Sequence, residues 1–137
     1  MKIDHIALWT NDLDRLKDFY SRFFDFKVSD RYDNNEKQFS SYFLSFNDGG
    51  ARIEIMKRSD ITDSNNTEGI GLEHFSISVG TEKQVDNLTT KMEKAGIKIY
   101  SYPRTSGDGY YESVVFDPDN NKVELIAYRD YEITLST

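Results

Sequence analysis

Asp4-His5-Ile6-Ala7-Leu8, near the start of the chain, is answered by Glu73-His74-Phe75-Ser76-Ile77 in its second half. Ile53-Glu54-Ile55 is answered in the same way by Val123-Glu124-Leu125. His5 and His74 are the two histidines of the chain, and their separations from Glu54 and Glu124 differ by a single residue. Side chains alternate faces along a strand. Ile6 and Leu8 therefore share one face of the first strand, and His5, Ala7 and Trp9 share the other. Ile53 and Ile55 flank Glu54, just as Val123 and Leu125 flank Glu124. If the apolar faces pack under helices, both imidazoles and both carboxylates lie on the opposite, open face. Singly, a strand histidine is usually hydrogen-bonded or exposed, and a glutamate between apolar residues is an outward position of an amphipathic strand. The repeated pairing points further. Two nitrogen and two oxygen donors suit a divalent ion of borderline softness, which makes His5, Glu54, His74 and Glu124 candidate metal ligands.

Working outward, each half reads as a strand, a helix and three strands, an α+β arrangement. After the first strand, Thr10 or Asn11 is a candidate helix cap, and the apolar stripe runs Leu13, Leu16, Tyr20, Phe23. Strands are expected over 27–32, 39–46 and 51–58, with Asn47-Asp48-Gly49-Gly50 turning between the last two. In the second half, Thr81 and Gln84 match a capping box. The stripe Val85, Leu88, Met92, Ala95 repeats the spacing of the first helix, and Gly96 suits its C-terminal end. Strands follow over 97–102, 111–116 and 122–128. The expectation is one domain over 1–137, made of two modules at about 1–58 and 72–129 with a polar linker over 59–71. The tail from Asp130, with Ile133 and Leu135, reads either as a strand extension or as an arm toward a second subunit.

Composition narrows the function classes. A chain of 137 residues can bury a real core, and nine Phe, nine Tyr and one Trp make that core aromatic. A formal charge of −7 disfavours nucleic acid, whose binding rests on Lys and Arg neutralising phosphates. No cysteine is present, so disulfides, thiolate catalysis and Cys-ligated zinc are excluded. Met1-Lys2-Ile3-Asp4-His5 lacks an apolar leader, and no apolar run reaches membrane-spanning length. A cytoplasmic protein with no membrane partner is expected.

With Asp18-Phe19-Tyr20 in the first helix and Asp117-Pro118-Asp119-Asn120-Asn121-Lys122-Val123-Glu124-Leu125 near the end, the chain resembles the vicinal oxygen chelate superfamily. This is the glyoxalase, bleomycin-resistance and dioxygenase group. Where members often carry Gly, Asn120 also tolerates the left-handed backbone of a tight turn. The resemblance implies paired βαβββ modules forming a curved-sheet cleft, with a divalent ion on its floor. Dioxygenases of the group hold iron with two His and one carboxylate, bleomycin-binding members lack the ligands, and fosfomycin-modifying members use two His and one Glu. Glu54 adds a fourth candidate here, as in glyoxalase I, so a metal-dependent lyase or isomerase of glyoxalase type is implied. In it Glu124, or else Glu54, would be the base that moves a proton beside the substrate oxygen. The metal would be Ni, Zn, Co, Mn or Fe. The alternatives are a non-catalytic small-molecule-binding protein and an iron-dependent dioxygenase.

Glutathione-using members carry an arginine four residues beyond the first His and an asparagine four beyond the first Glu, where this chain has Trp9 and Arg58. The small-molecule substrate is thus left unassigned, with Trp9, Arg58, Arg104 and Tyr111 as candidate contacts. Arg104 lies in the glycine-containing loop Pro103-Arg104-Thr105-Ser106-Gly107-Asp108-Gly109 and suits a carboxylate or phosphate. The resemblance also implies a homodimer.

Overall fold

Each half of the chain closes its first strand onto its last, in parallel, through a helix. The computed structural model describes residues 1–63 and 68–129, and it divides into two units, Met1–Thr67 and Glu68–Thr137.

The first unit runs β1 (His5–Trp9), α1 (Leu13–Phe23), β2 (Phe26–Val28), β3 (Tyr32–Asn34), β4 (Phe39–Phe46) and β5 (Arg52–Arg58). Its sheet has the order β1-β5-β4-β2, with β3 also paired to β4. A parallel β1–β5 pair needs a long crossover, and α1 is part of it. The β4–β5 hairpin turns through Gly49 and Gly50, at φ 87° and 91°. Thr10 is buried and its hydroxyl accepts the Asp12 N–H at 3.1 Å. That turn makes Asp12, rather than Thr10 or Asn11, the cap, its carboxylate accepting from the Arg15 amide at 3.0 Å. Leu13, Leu16, Phe19, Tyr20 and Phe23 of α1 are buried, as are Leu8, Leu44, Ile53 and Ile55 of the sheet. The strand expected over 27–32 is instead two short strands. Ser29 interrupts it, because its hydroxyl accepts the Phe43 N–H at 2.9 Å in place of a backbone carbonyl.

The second unit runs β6 (His74–Gly80), α2 (Glu82–Lys94), β7 (Ile99–Thr105), β8 (Tyr111–Phe116) and β9 (Lys122–Ala127), in the order β6-β9-β8-β7. The expected capping box is formed. The Gln84 amide donates to Thr81 Oγ1 at 3.2 Å, and the Gln84 side chain accepts the Thr81 N–H at 2.7 Å. Val85 and Met92 are buried, but Thr89 rather than Leu88 completes the buried stripe. Its hydroxyl donates to the Val85 carbonyl and meets Ser113 Oγ, both at 2.7 Å, so a polar residue is satisfied inside the core. Pro103 lies in β7, an edge strand of this sheet, where a missing N–H is tolerated. The last turn is tied by Asp117, whose Oδ1 accepts the Asp119 and Asn121 amides at 2.9 Å, and Asn120 takes φ 64°.

The tail residues Ile133 and Leu135, and part of the 59–71 linker, lie outside the described residues. No described helix is long and apolar enough to cross a membrane. Because Leu16 is fully buried, Leu16→Ala should cost about 2–5 kcal/mol in urea unfolding, and a loss below about 1 kcal/mol would contradict the packing described.

Candidate metal site

The strand registers place the candidate ligands. In β1–β5, His5 pairs with Arg52 and Ala7 with Glu54; in β6–β9, His74 pairs with Lys122 and Ser76 with Glu124. In each unit the glutamate thus stands two residues beyond the histidine's strand partner. Two residues is one strand repeat, so His and Glu share a face. Burial identifies that face. Ile53 and Ile55 in one unit, and Val123 and Leu125 in the other, are buried on the opposite side.

In both units an acid precedes the histidine and binds its ring. His5 Nδ1 lies 2.8 Å from Asp4 Oδ2, and His74 Nδ1 is hydrogen-bonded to Glu73 Oε2. Each acid is also held by the basic strand partner of the histidine: Arg52 Nη2 to Asp4 at 3.0 Å, Lys122 Nζ to Glu73 at 2.7 Å. The His5 hydrogen bond, then Arg52, keep the Asp4 carboxyl below the usual carboxylate range. Lys122, then His74, do the same for Glu73.

Glu124 is the most enclosed of the candidates, with only 8% of its surface exposed. Ser76 donates its hydroxyl to Glu124 Oε1 at 2.6 Å, and His74 Nε2 stands 3.3 Å from Oε2. Val114 is the strand partner of Glu124, which sets Glu112 one repeat along on the same face. Burial, and secondly the charge of Glu124, push the Glu112 carboxyl above the usual range. The sequence carries no signal for Glu112, since nothing around it repeats in the first half. Arg104 is the strand partner of Glu112, with Nη2 at 3.9 Å from Oε1.

The remaining candidates are more dispersed. Trp9 is 39% exposed, faces the side of His5, and packs edge-to-face on Phe39 with Arg58 over its ring at 5.1 Å. Arg58 is already bonded to Asp60, at 2.5 Å through Nε. Tyr111 lies on the other face of β8, where its hydroxyl donates to Asp86 of α2. It is directed to the helix rather than to the side of Glu112.

The donor chemistry fits a divalent cation. Two ligands each about 2.0–2.1 Å from such an ion sit roughly 3 Å from one another, close to the 3.3 Å between His74 Nε2 and Glu124 Oε2. Among the described residues no three His, Asp or Glu side chains are gathered closely enough to enclose an ion. Each unit offers one imidazole and one carboxylate.

The chain matches the model of the family described as the Glyoxalase/Bleomycin resistance protein/Dioxygenase superfamily over residues 2–125. It is 29% identical to the lactoylglutathione lyase of Schizosaccharomyces pombe, over 92% of this chain and 47% of that protein. It spans about half the length of the curated lyases it matches. Among solved structures, the glyoxylase/bleomycin resistance protein/dioxygenase domain from Frankia sp. EAN1pec superposes with a TM-score of 0.78 at 22% identity, covering 96% of this chain and 94% of that one. The glyoxalase I of Leishmania major gives a TM-score of 0.74 at 23% identity, covering 93% and 86%. These likenesses in backbone, with the family match across nearly the whole chain, show that the protein belongs to the glyoxalase/bleomycin resistance/dioxygenase superfamily and has its α+β fold of βαβββ modules.

Proposed function

We propose that this protein is a metal-dependent lyase or isomerase of the glyoxalase type, acting on a small α-oxygenated substrate, either free or conjugated to a thiol. The observation that carries the reading is the duplicated His–Glu pair, set one strand repeat apart on the open face of each unit. Relatives named lactoylglutathione lyase support it. On this reading His5, Glu54, His74 and Glu124 hold one divalent ion, the two pairs coming from one chain or from two copies. When bound, the ion supplies Lewis acidity that steadies charge on a substrate oxygen, an effect of roughly several kcal/mol.

The rest of the chemistry falls to the chain's own groups. Glu124 takes the proton from the carbon beside that oxygen and returns it to the neighbouring carbon. Ser76 fixes one Glu124 oxygen and leaves the other on the side of His74. Glu112 gives the transferred proton a second carboxyl to share, which suits a base that must both accept and release it. Glu54 stands opposite Ala7, which has no hydroxyl to guide it, and is the second choice of base. Trp9 and Phe39 offer an apolar surface to the remote end of the substrate, and Arg104 a cation. With Trp9 in place of an arginine, recognition of glutathione in the manner of the glutathione-using members is not expected.

Elemental analysis of the natively purified chain should find about one divalent ion per chain, lost in Glu124→Ala. Glu124→Gln should lower turnover of hemithioacetals by on the order of 10²–10⁴. Absence of metal, with none taken up from added divalent ions, would leave a small-molecule-binding module.

The raised Glu112 carboxyl gives a pH test. Its folded pKa lies above its unfolded one, so the wild type loses stability as pH rises through the raised value and regains it below the ordinary carboxylate range. Glu112→Gln removes that loss. By scanning calorimetry the metal-free variant should melt above the wild type at about pH 8, the gap closing near about pH 4. A variant that melts lower at about pH 8 would argue that burial and the Glu124 charge do not disfavour the ionised Glu112 carboxyl.

On this reading the protein is a homodimer, as its family resemblance implies. Light scattering on the eluted protein should give twice the monomer mass, and a monomer that is fully active would refute the dimer.

A further inference from the structure

We propose that Asp4 with Arg52, and Glu73 with Lys122, are positioning pairs that present the Nε2 lone pairs of His5 and His74 to a divalent cation. The ligand's identity rests on the metal reading above; the geometry of the pairs does not. An ionised carboxylate only accepts hydrogen bonds, so an imidazole bonded to it through Nδ1 carries its proton there. The other nitrogen is then left with its lone pair, and this is how protein carboxylates orient metal-binding histidines.

Three features raise this above a chance surface contact. The device occurs twice, built from different residues: Asp and Arg in one unit, Glu and Lys in the other. The cation occupies the same place in both, as the strand partner of the histidine. Each cation also rests on an aromatic ring, Arg52 over Phe43 at 4.4 Å and Lys122 over Tyr100 at 4.2 Å. Phe43 meets the His5 ring edge-on as well, at 5.4 Å, so ring, acid and base are held as one group. In the second unit Nε2 is on the side of Glu124, 3.3 Å away, as a ligand nitrogen should be. A stability role explains the pairs poorly, because exposed ion pairs contribute little to folding.

The test uses the full chain, with Asp4→Asn and Glu73→Gln as isosteric changes and zinc ion alone as the probe. An amide can accept or donate, so it no longer selects the tautomer. Zinc dissociation constants, read by chelator competition, should rise by about 10–100-fold in each variant. The metal-free melting temperature should stay the same. Nitrogen-15 NMR of the metal-free wild type should show both rings protonated at Nδ1, and the variants should shift toward Nε2. Arg52→Lys and Lys122→Arg should keep the wild-type affinity. Unchanged zinc affinity and unchanged tautomers in Asp4→Asn and Glu73→Gln would overturn the proposal. A wild type that binds no zinc would instead sink the metal-dependent function, while the tautomer measurement, made without metal, still decides the positioning role.

Discussion

Parallel pairing of the first and last strands is the constraint on which each unit depends. Such a pair cannot be joined by a tight turn, so the helix and the middle strands must lie between its members. Its register is fixed by burial. A slip of one residue would carry Ile53 and Ile55, or Val123 and Leu125, to the open face and drive the intervening glutamate against the helix. An unpaired carboxylate there would cost several kcal/mol. The packing that stabilises the unit therefore also aims its polar side chains, and the His–Glu offset is the same in both units because the same packing sets it.

That logic explains what could be read from the sequence. Alternation alone assigned the faces of His5, Glu54, His74 and Glu124, since period two survives any uncertainty in strand ends. Local chemistry located the Thr81–Gln84 box and the left-handed Asn120 turn, because those interactions span only a few residues. Contacts distant in the chain were harder to read. Thr89 is buried in place of Leu88 because Ser113, on another element, meets its hydroxyl. Ser29 splits a strand because Phe43 lies opposite. Glu112 matters only once β8 is laid beside β9. One further signal is legible in the sequence. Each histidine follows an acid, and each glutamate follows a base by two residues, in Arg52-Ile53-Glu54 and Lys122-Val123-Glu124. The strand registers turn that pattern into the acid–base pairs beside the imidazoles.

The two units have kept the same frame and filled it differently. The second encloses its glutamate, guides it with Ser76 and sets Glu112 beside it. The first has Ala7 where the second has Ser76, and its open face carries Trp9, Phe39 and Phe43. A hydroxyl and a second carboxyl give a carboxylate polar neighbours, whereas aromatic rings supply apolar contact area and little proton chemistry. The second unit's face thus carries proton-handling groups, and the first unit's face carries apolar ones. Beneath these differences each unit keeps one imidazole and one carboxylate on one face, a nitrogen and an oxygen donor of the kind a borderline divalent ion accepts.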